Sequence, residues 1–195
     1  MPMNLMHRKL CSSAKWAASV AEVLPGWLAR FDLGDDVLEI GPGFGATTRV
    51  LLDVVPRLTA LEIDPASTRL LQEKYGDRAD IVEGSGADMP FDSGRFSAVV
   101  CFTMLHHVPT VALQDRIFAE AARVLRPGGI YCGVDSQLSF RFRLLHLGDT
   151  MNVLDAVTLP GRLSAAGFEK VQVQHQPKER VEFSGVKAVS EAADF

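Results

Sequence analysis

Cysteine is scarce: Cys11, Cys101 and Cys132 are the only three in 195 residues. They are odd in number and far apart, so a disulfide-built fold is excluded and free thiols in a reducing compartment are expected. No H-x-x-x-H or C-x-x-C pair occurs, so no metal site is expected. No run reaches the roughly 18 apolar residues of a membrane helix, and stable membrane insertion is not expected. Basic charge is not in excess either. With 20 Lys and Arg against 24 Asp and Glu, the net charge is −4, the wrong balance for broad phosphate neutralisation, and no nucleic-acid partner is expected. Disorder is excluded by a hydrophobic content of 47%. Arg8 and Lys9 precede an apolar stretch, as in a secretory leader, but Ser12, Ser13, Lys15, Ser19 and Glu22 interrupt it. The segment reads as an amphipathic helix with Trp16 and Trp27 in the core, and the expected compartment is the cytoplasm.

What is present is an alternation of strands and helices. Strands are expected at Val37–Ile40, 58–63, 79–83, Phe96–Phe102 and 130–134. Helices are expected between them at 47–54, Pro65–Tyr75 and 110–125, with Pro65 in the first turn and Gly76 closing the second helix. This order implies an α/β, Rossmann-like three-layer sandwich on a mostly parallel sheet. The tail differs. A short helix at 158–166 is followed by strands at 169–176 and 181–188, too closely connected to be anything but a hairpin, so one strand in the edge region runs antiparallel. We expect one domain: a helical cap over 1–36, a core over 37–135, a lid over 136–160, and a helix and hairpin over 161–195.

The most informative stretch is Glu39-Ile40-Gly41-Pro42-Gly43-Phe44-Gly45-Ala46-Thr47, which leaves the first strand and opens the first helix. Glycines there permit a sharp turn and close ligand approach, and a helix N-terminus adds free N–H groups. That combination suits an adenosine-type cofactor. Gly41, Gly43 and Ala46 also satisfy the dinucleotide spacing, which makes an NAD(P)-binding Rossmann enzyme the first alternative. Against it, neither Tyr75 nor Tyr131 begins a Tyr-x-x-x-Lys pair, and the tail forms a hairpin instead of a second dinucleotide half. The second strand ends in Leu61-Glu62-Ile63-Asp64, where a carboxylate can accept from a ribose diol. Glu62 and Asp64 share a face under strict alternation, so only one need meet the ligand.

Four blocks in order, VLEIGPGFG, LTALEIDPAS, GADMPFDSGRFSAVVCFTMLHHV and RVLRPGGIY, make the chain resemble the class I S-adenosylmethionine-dependent methyltransferases. The likeness is greatest to the type 11, ubiquinone/biotin-pathway-like branch. It implies S-adenosylmethionine as cofactor, S-adenosylhomocysteine as product, and a seven-stranded sheet. By that resemblance Gly41, Gly43, Phe44 and Gly45 cradle the methionyl and ribose part. Glu39 orients this loop or the bound ammonium, Glu62 takes the ribose diol, and Ile63 lies against the adenine. Ser85, Gly86 and Ala87 align with the adenine-edge segment, where the family commonly has an acid in place of Ser85. Recognition there is then expected to lean on backbone groups or on Asp88. Cys101 and Phe102 align with the methionyl and sulfonium side.

Methyl transfer needs alignment and exclusion of water, and a base only where the acceptor must lose a proton. His106 and His107 are the catalytic candidates; adjacent residues diverge, so at most one faces the cleft. The LHHV segment recurs in relatives with unrelated substrates, which favours a structural role. His7, His146 and Asp135 are further candidates. The lid is expected to contact substrate through Leu138, Phe142 and Leu145 on one helical face, with Arg141 and Arg143 solvated. The expected acceptor is a small molecule, the expected assembly a monomer or homodimer, and the second alternative a non-catalytic S-adenosylmethionine-binding regulator.

Overall fold

Short apolar runs build the sheet, and the computed structural model describes the chain over residues 4–189. Residues 1–3 of the expected cap and 190–195 of the expected tail lie outside the described residues. The strands are β1 (Val37–Ile40), β2 (Leu58–Glu62), β3 (Asp80–Glu83), β4 (Phe96–Phe102), β5 (Leu125–Ser136), β6 (Phe168–Gln176) and β7 (Arg180–Lys187). β1 and β2 are buried along their whole length, as strands covered on both faces must be. The sheet order is β3-β2-β1-β4-β5-β7-β6. β1 to β5 pair in parallel. β7 runs antiparallel to both β5 and β6, so the reversed strand sits one place in from the edge. β5 begins earlier than 130 because Gly128, at φ 78°, lets the chain loop out between the Leu125↔Phe96 and Ile130↔Ala98 pairs.

The helices are α1 (Leu5–Cys11), α2 (Ala14–Leu28), α3 (Ala46–Leu51), α4 (Pro65–Tyr75), α5 (Val111–Val124), α6 (Phe140–Leu145) and α7 (Leu159–Ala165). Each of α4 and α5 starts where a side chain satisfies a free N–H: Asp64 for Ser67, and Thr110 for Leu113. Alternation along the strands divides the core. Val37, Ala98, Val100 and Phe102 pack with α2 and α3 on one face, while Leu38, Val99, Cys101 and Tyr131 pack with α5 and α7 on the other. Trp27 lies in the first core as expected. Its indole N–H donates to Glu182 of β7 at 2.8 Å, and Arg30 donates to the same oxygen at 2.8 Å. The end of α2 is thereby tied to β7. Trp16, also expected in the core, is only half-buried and faces the cavity described below.

Glu39 is a carboxyl group buried in the middle of the sheet at 1% exposure. It accepts from the hydroxyls of Thr47 and Thr48 in the first turn of α3, so the glycine loop is held at both ends by one side chain. Burial pushes its pKa up to about 7, against the pull of the two threonine hydroxyls. A carboxyl raised in the folded state contributes stability that is present below its unfolded value of 4.5 and lost as pH rises through about 7. Glu39→Gln removes that titration. Chemical denaturation of the ligand-free chain at pH 5 and pH 8 is expected to show the parent losing on the order of 3 kcal/mol more than the variant.

Candidate active site

The order in which strands are added to the sheet reverses between β1 and β4, and the carboxyl ends of these parallel strands leave a crevice there. A cavity of about 630 Å³ fills it, within the range of about 300–1,000 Å³ typical of small-molecule sites. Its floor is the glycine loop. Gly41 has φ 67°, and a Cβ on it would lie 2.3 Å from the Met104 side chain. Gly43 has φ 56° with nothing within 4 Å of an added Cβ. Gly43 is thus glycine for its backbone conformation, and open space remains in front of it.

Glu62 ties this loop to the next strand. One carboxylate oxygen accepts from the Gly43 N–H at 2.9 Å and the other from the Asp64 N–H at 2.9 Å. Asp64 itself caps α4, accepting from the Ser67 N–H and hydroxyl at 2.8 Å each. Of the two acids at the strand end, Glu62 therefore faces the loop. Phe44 and Gly45 belong to the same loop; Gly41, Gly43 and Phe44 line the cavity. Ile63, 58% exposed, offers an apolar surface beside Glu62 on the cavity wall. Ser85, Gly86 and Ala87 line the adjoining wall. The Ser85 hydroxyl accepts from the Ala87 N–H at 3.1 Å, which keeps the turn tight. Asp88 is exposed and does not line the cavity.

One expected contact is corrected. Cys101 is not on the cavity wall. It is 1% exposed and lies within hydrogen-bond distance of the Tyr131 hydroxyl, 3.2 Å away. Alternation along β4 turns it toward α5, and its neighbour Phe102 reaches the cavity instead. Burial holds the Cys101 thiol well above its usual range. Thr103 and Met104, which follow, line the wall, with Thr103 at φ 49°. Sequence reasoning gave neither a role, although both fall within the GADMPFDSGRFSAVVCFTMLHHV block, between Phe102 and the histidine pair.

The roof is made by parts remote in sequence. Asn4 donates from its backbone to Asp149 at 2.7 Å and from its side chain to the Leu145 carbonyl at 2.7 Å, which ties α1 to the end of α6. Phe142 and Leu145 line the cavity, whereas Leu138, Arg141 and Arg143 do not, and both arginines are exposed. Asn152 bonds back to a 3₁₀ turn at Leu105–His107, its N–H donating to the His106 carbonyl at 2.7 Å. Four histidines meet under this roof: His7, His106, His107 and His146 all line the cavity. His7 and Cys11 sit one helical turn apart on α1 and both line it, a spacing that was legible in the sequence.

Each of three histidines is held at one nitrogen. His106 Nδ1 lies 2.5 Å from Asp135, His7 Nδ1 lies 3.1 Å from Asp149, and His146 Nδ1 lies 2.8 Å from the Phe142 carbonyl. These acceptors set the Nδ1–H tautomer and leave Nε2 with its lone pair free. Nε2 of His106 and of His146 is buried and without a partner among the described residues. Burial is the main reason that His7 and His146 titrate below the ordinary histidine value. Burial, then the neighbouring histidines, bring His107 down to about 2.

Residues 38–133 match the family described as a methyltransferase domain. A probable S-adenosylmethionine-dependent methyltransferase of Mycolicibacterium smegmatis is 33% identical over 76% of this chain and 57% of its own length. A ribosomal RNA small subunit methyltransferase A of Chlorobaculum parvum is 42% identical over 47% of this chain and 35% of its own length. The chain thus spans about half or less of these curated relatives. Among solved structures, an S-adenosylmethionine-dependent methyltransferase from Aquifex aeolicus superposes with a TM-score of 0.76 at 15% identity, covering 95% of this chain and 99% of that one. With the glycine loop, the Glu62 contact and the seven-stranded order in place, residues 38–133 form a methyltransferase domain of the class I S-adenosylmethionine-dependent type.

Proposed function

We propose that this chain transfers a methyl group from S-adenosylmethionine to a small molecule seated beneath α1 and α6, with His106 as the proton acceptor. The residues present fit the cofactor. The space in front of Gly43 admits a ligand against the backbone, and Glu62 brings a carboxylate, 6% exposed, to the edge of that space. In this reading Glu62 takes the ribose hydroxyls, the 41–45 loop takes the methionyl part, and Ile63 with 85–87 takes the adenine. Glu39 acts on the loop through Thr47 and Thr48 and does not line the cavity. When bound, S-adenosylmethionine supplies an activated methyl group that carries its own leaving group, so the protein's tasks are alignment, dryness and handling of the acceptor's proton.

The observation that carries the reading is the His106–Asp135 pair opening onto the same cavity as the glycine loop. Asp135, 1% exposed, holds the proton on Nδ1 and supports the charge that develops when Nε2 takes a proton. Phe142 stands beside His106 with ring centroids 5.1 Å apart, and helps keep that nitrogen from bulk water. An enclosed roof and a net charge of −4 support a small acceptor over a base within RNA, the acceptor class of one relative's name. Among the described residues no helix is long and apolar enough to cross a membrane.

Incubating the chain with labelled S-adenosylmethionine and panels of phenols, alcohols, amines and ribosomal RNA checks this. Release of S-adenosylhomocysteine with a small acceptor is expected; label transferred to RNA alone would refute the acceptor class. Glu62→Ala is expected to weaken S-adenosylmethionine binding by about 1.5–3 kcal/mol in calorimetry, the scale of a charge-assisted hydrogen bond. His106→Ala is expected to lower turnover by about 10²–10⁴-fold at unchanged cofactor affinity. Equal losses of stability and activity would assign His106 to packing instead.

A further inference from the structure

A second assembly lies in the roof, beyond what methyl transfer requires. His7 comes from α1, His107 from the turn after β4, and His146 from the end of α6. One ring nitrogen of each lies within 4.8 Å of the others. All three line the cavity. The sequence contains no local metal-ligand spacing, which is why no metal site was expected; these three are brought together only by folding. We propose that His7, His107 and His146 form a binding site for a divalent transition-metal cation of the zinc class.

Three features support the site. The first is the donor set: imidazole nitrogens suit zinc and its neighbours, and three of them with an open fourth position form a recurrent catalytic arrangement. The second is the outer shell. Asp149 holds Nδ1 of His7, and the Phe142 carbonyl holds Nδ1 of His146. Such partners orient metal-bound histidines and leave the opposite nitrogen free. For His146 that free nitrogen is Nε2, in a residue 4% exposed, and it is unpartnered among the described residues. The third is charge. The Asp149 and Asp135 carboxylates are 3% and 1% exposed, and among the described residues their ion-pair partners are histidines, with no lysine or arginine. Asp149, hydrogen-bonded to His7, places one buried carboxylate against the three-histidine cluster to offset part of a cation's charge, while Asp135 stands one histidine further off, on His106.

A tetrahedral ion with bonds of about 2.0–2.1 Å holds its ligand atoms about 3.4 Å apart, so the three rings close inward by about 1 Å on loading. The ion then cross-links α1, the turn after β4 and α6, which are the roof. Its fourth position faces the cavity. If the acceptor reading above holds, an oxygen or thiol of the acceptor is polarised there; the site itself does not depend on that reading.

The test uses the untagged full chain, stripped with chelator and free of cofactor and acceptor, so it is independent of methyl transfer. Titration with zinc is expected to bind one equivalent per chain and to raise the melting temperature. Cobalt is expected to give the intense visible absorption of a tetrahedral site. His7→Ala and His146→Ala are each expected to weaken zinc binding by about 100-fold or more, and Asp149→Asn by about 10–100-fold. His175, exposed on β6, serves as control, and His175→Ala is expected to bind like the parent. Absence of saturable binding at micromolar zinc overturns the proposal. So does binding retained in the His7→Ala/His146→Ala double variant, or an octahedral cobalt spectrum from the parent chain, a measurement that needs no variant to fold.

Discussion

The carboxylate of Glu62 is the constraint on which the rest of the site depends. It ends β2, accepts the N–H of Gly43 from the loop after β1, and accepts the N–H of Asp64 at the start of α4. Three elements meet on one side chain. Desolvating a carboxylate is costly, and two N–H donors offset that cost. The loop backbone is consequently fixed on both sides of the space in front of Gly43, at the turn by Glu62 and, through Glu39, at the threonines of α3. Anchoring of this kind lowers the ordering cost that a flexible loop would incur on binding.

The other half of the cavity, under the roof, is built differently. The cradle uses adjacent strand ends, whereas the roof is sewn together from α1, α6 and the turn at Leu105–His107 by Asn4, Asp149 and Asn152. It is a polar roof with histidines turned inward. Burial keeps those rings uncharged, and uncharged imidazoles can accept protons or ligate cations. In the proposed reading the division matches the chemistry, one wall taking the cofactor and the other the acceptor.

Much of the fold was legible because its signals are local. Strands β1 and β4, and helix α4, fall where apolar runs, prolines and glycines place them, within a residue of their bounds. The short hairpin announced a reversed strand. The hairpin could not tell that β7 would insert between β5 and β6, since that depends on which strand pairs with β5. Cys101 shows the same limit at one residue. Alternation says that Cys101 and Phe102 face opposite ways, but only the position of α5 decides which way is core. Trp16 and Trp27 lie on one helix with similar surroundings in sequence, yet one meets Glu182 and the other the cavity.

The sequence alone determined the parts whose partners are close along the chain: the positive-φ glycine turn, the acid at the next strand end, and the alternating pattern that demands a parallel sheet. Backbone geometry and hydrophobic periodicity act over a few residues, so a few residues suffice to express them. Tertiary structure alone decided the roof. His7, His107 and His146 have no sequence signature as a group because 100 residues separate the first from the second, and their convergence arises from α1 docking on α6 through Asn4 and Asp149. Such a docking is set by the packing of the whole chain, which no local pattern encodes.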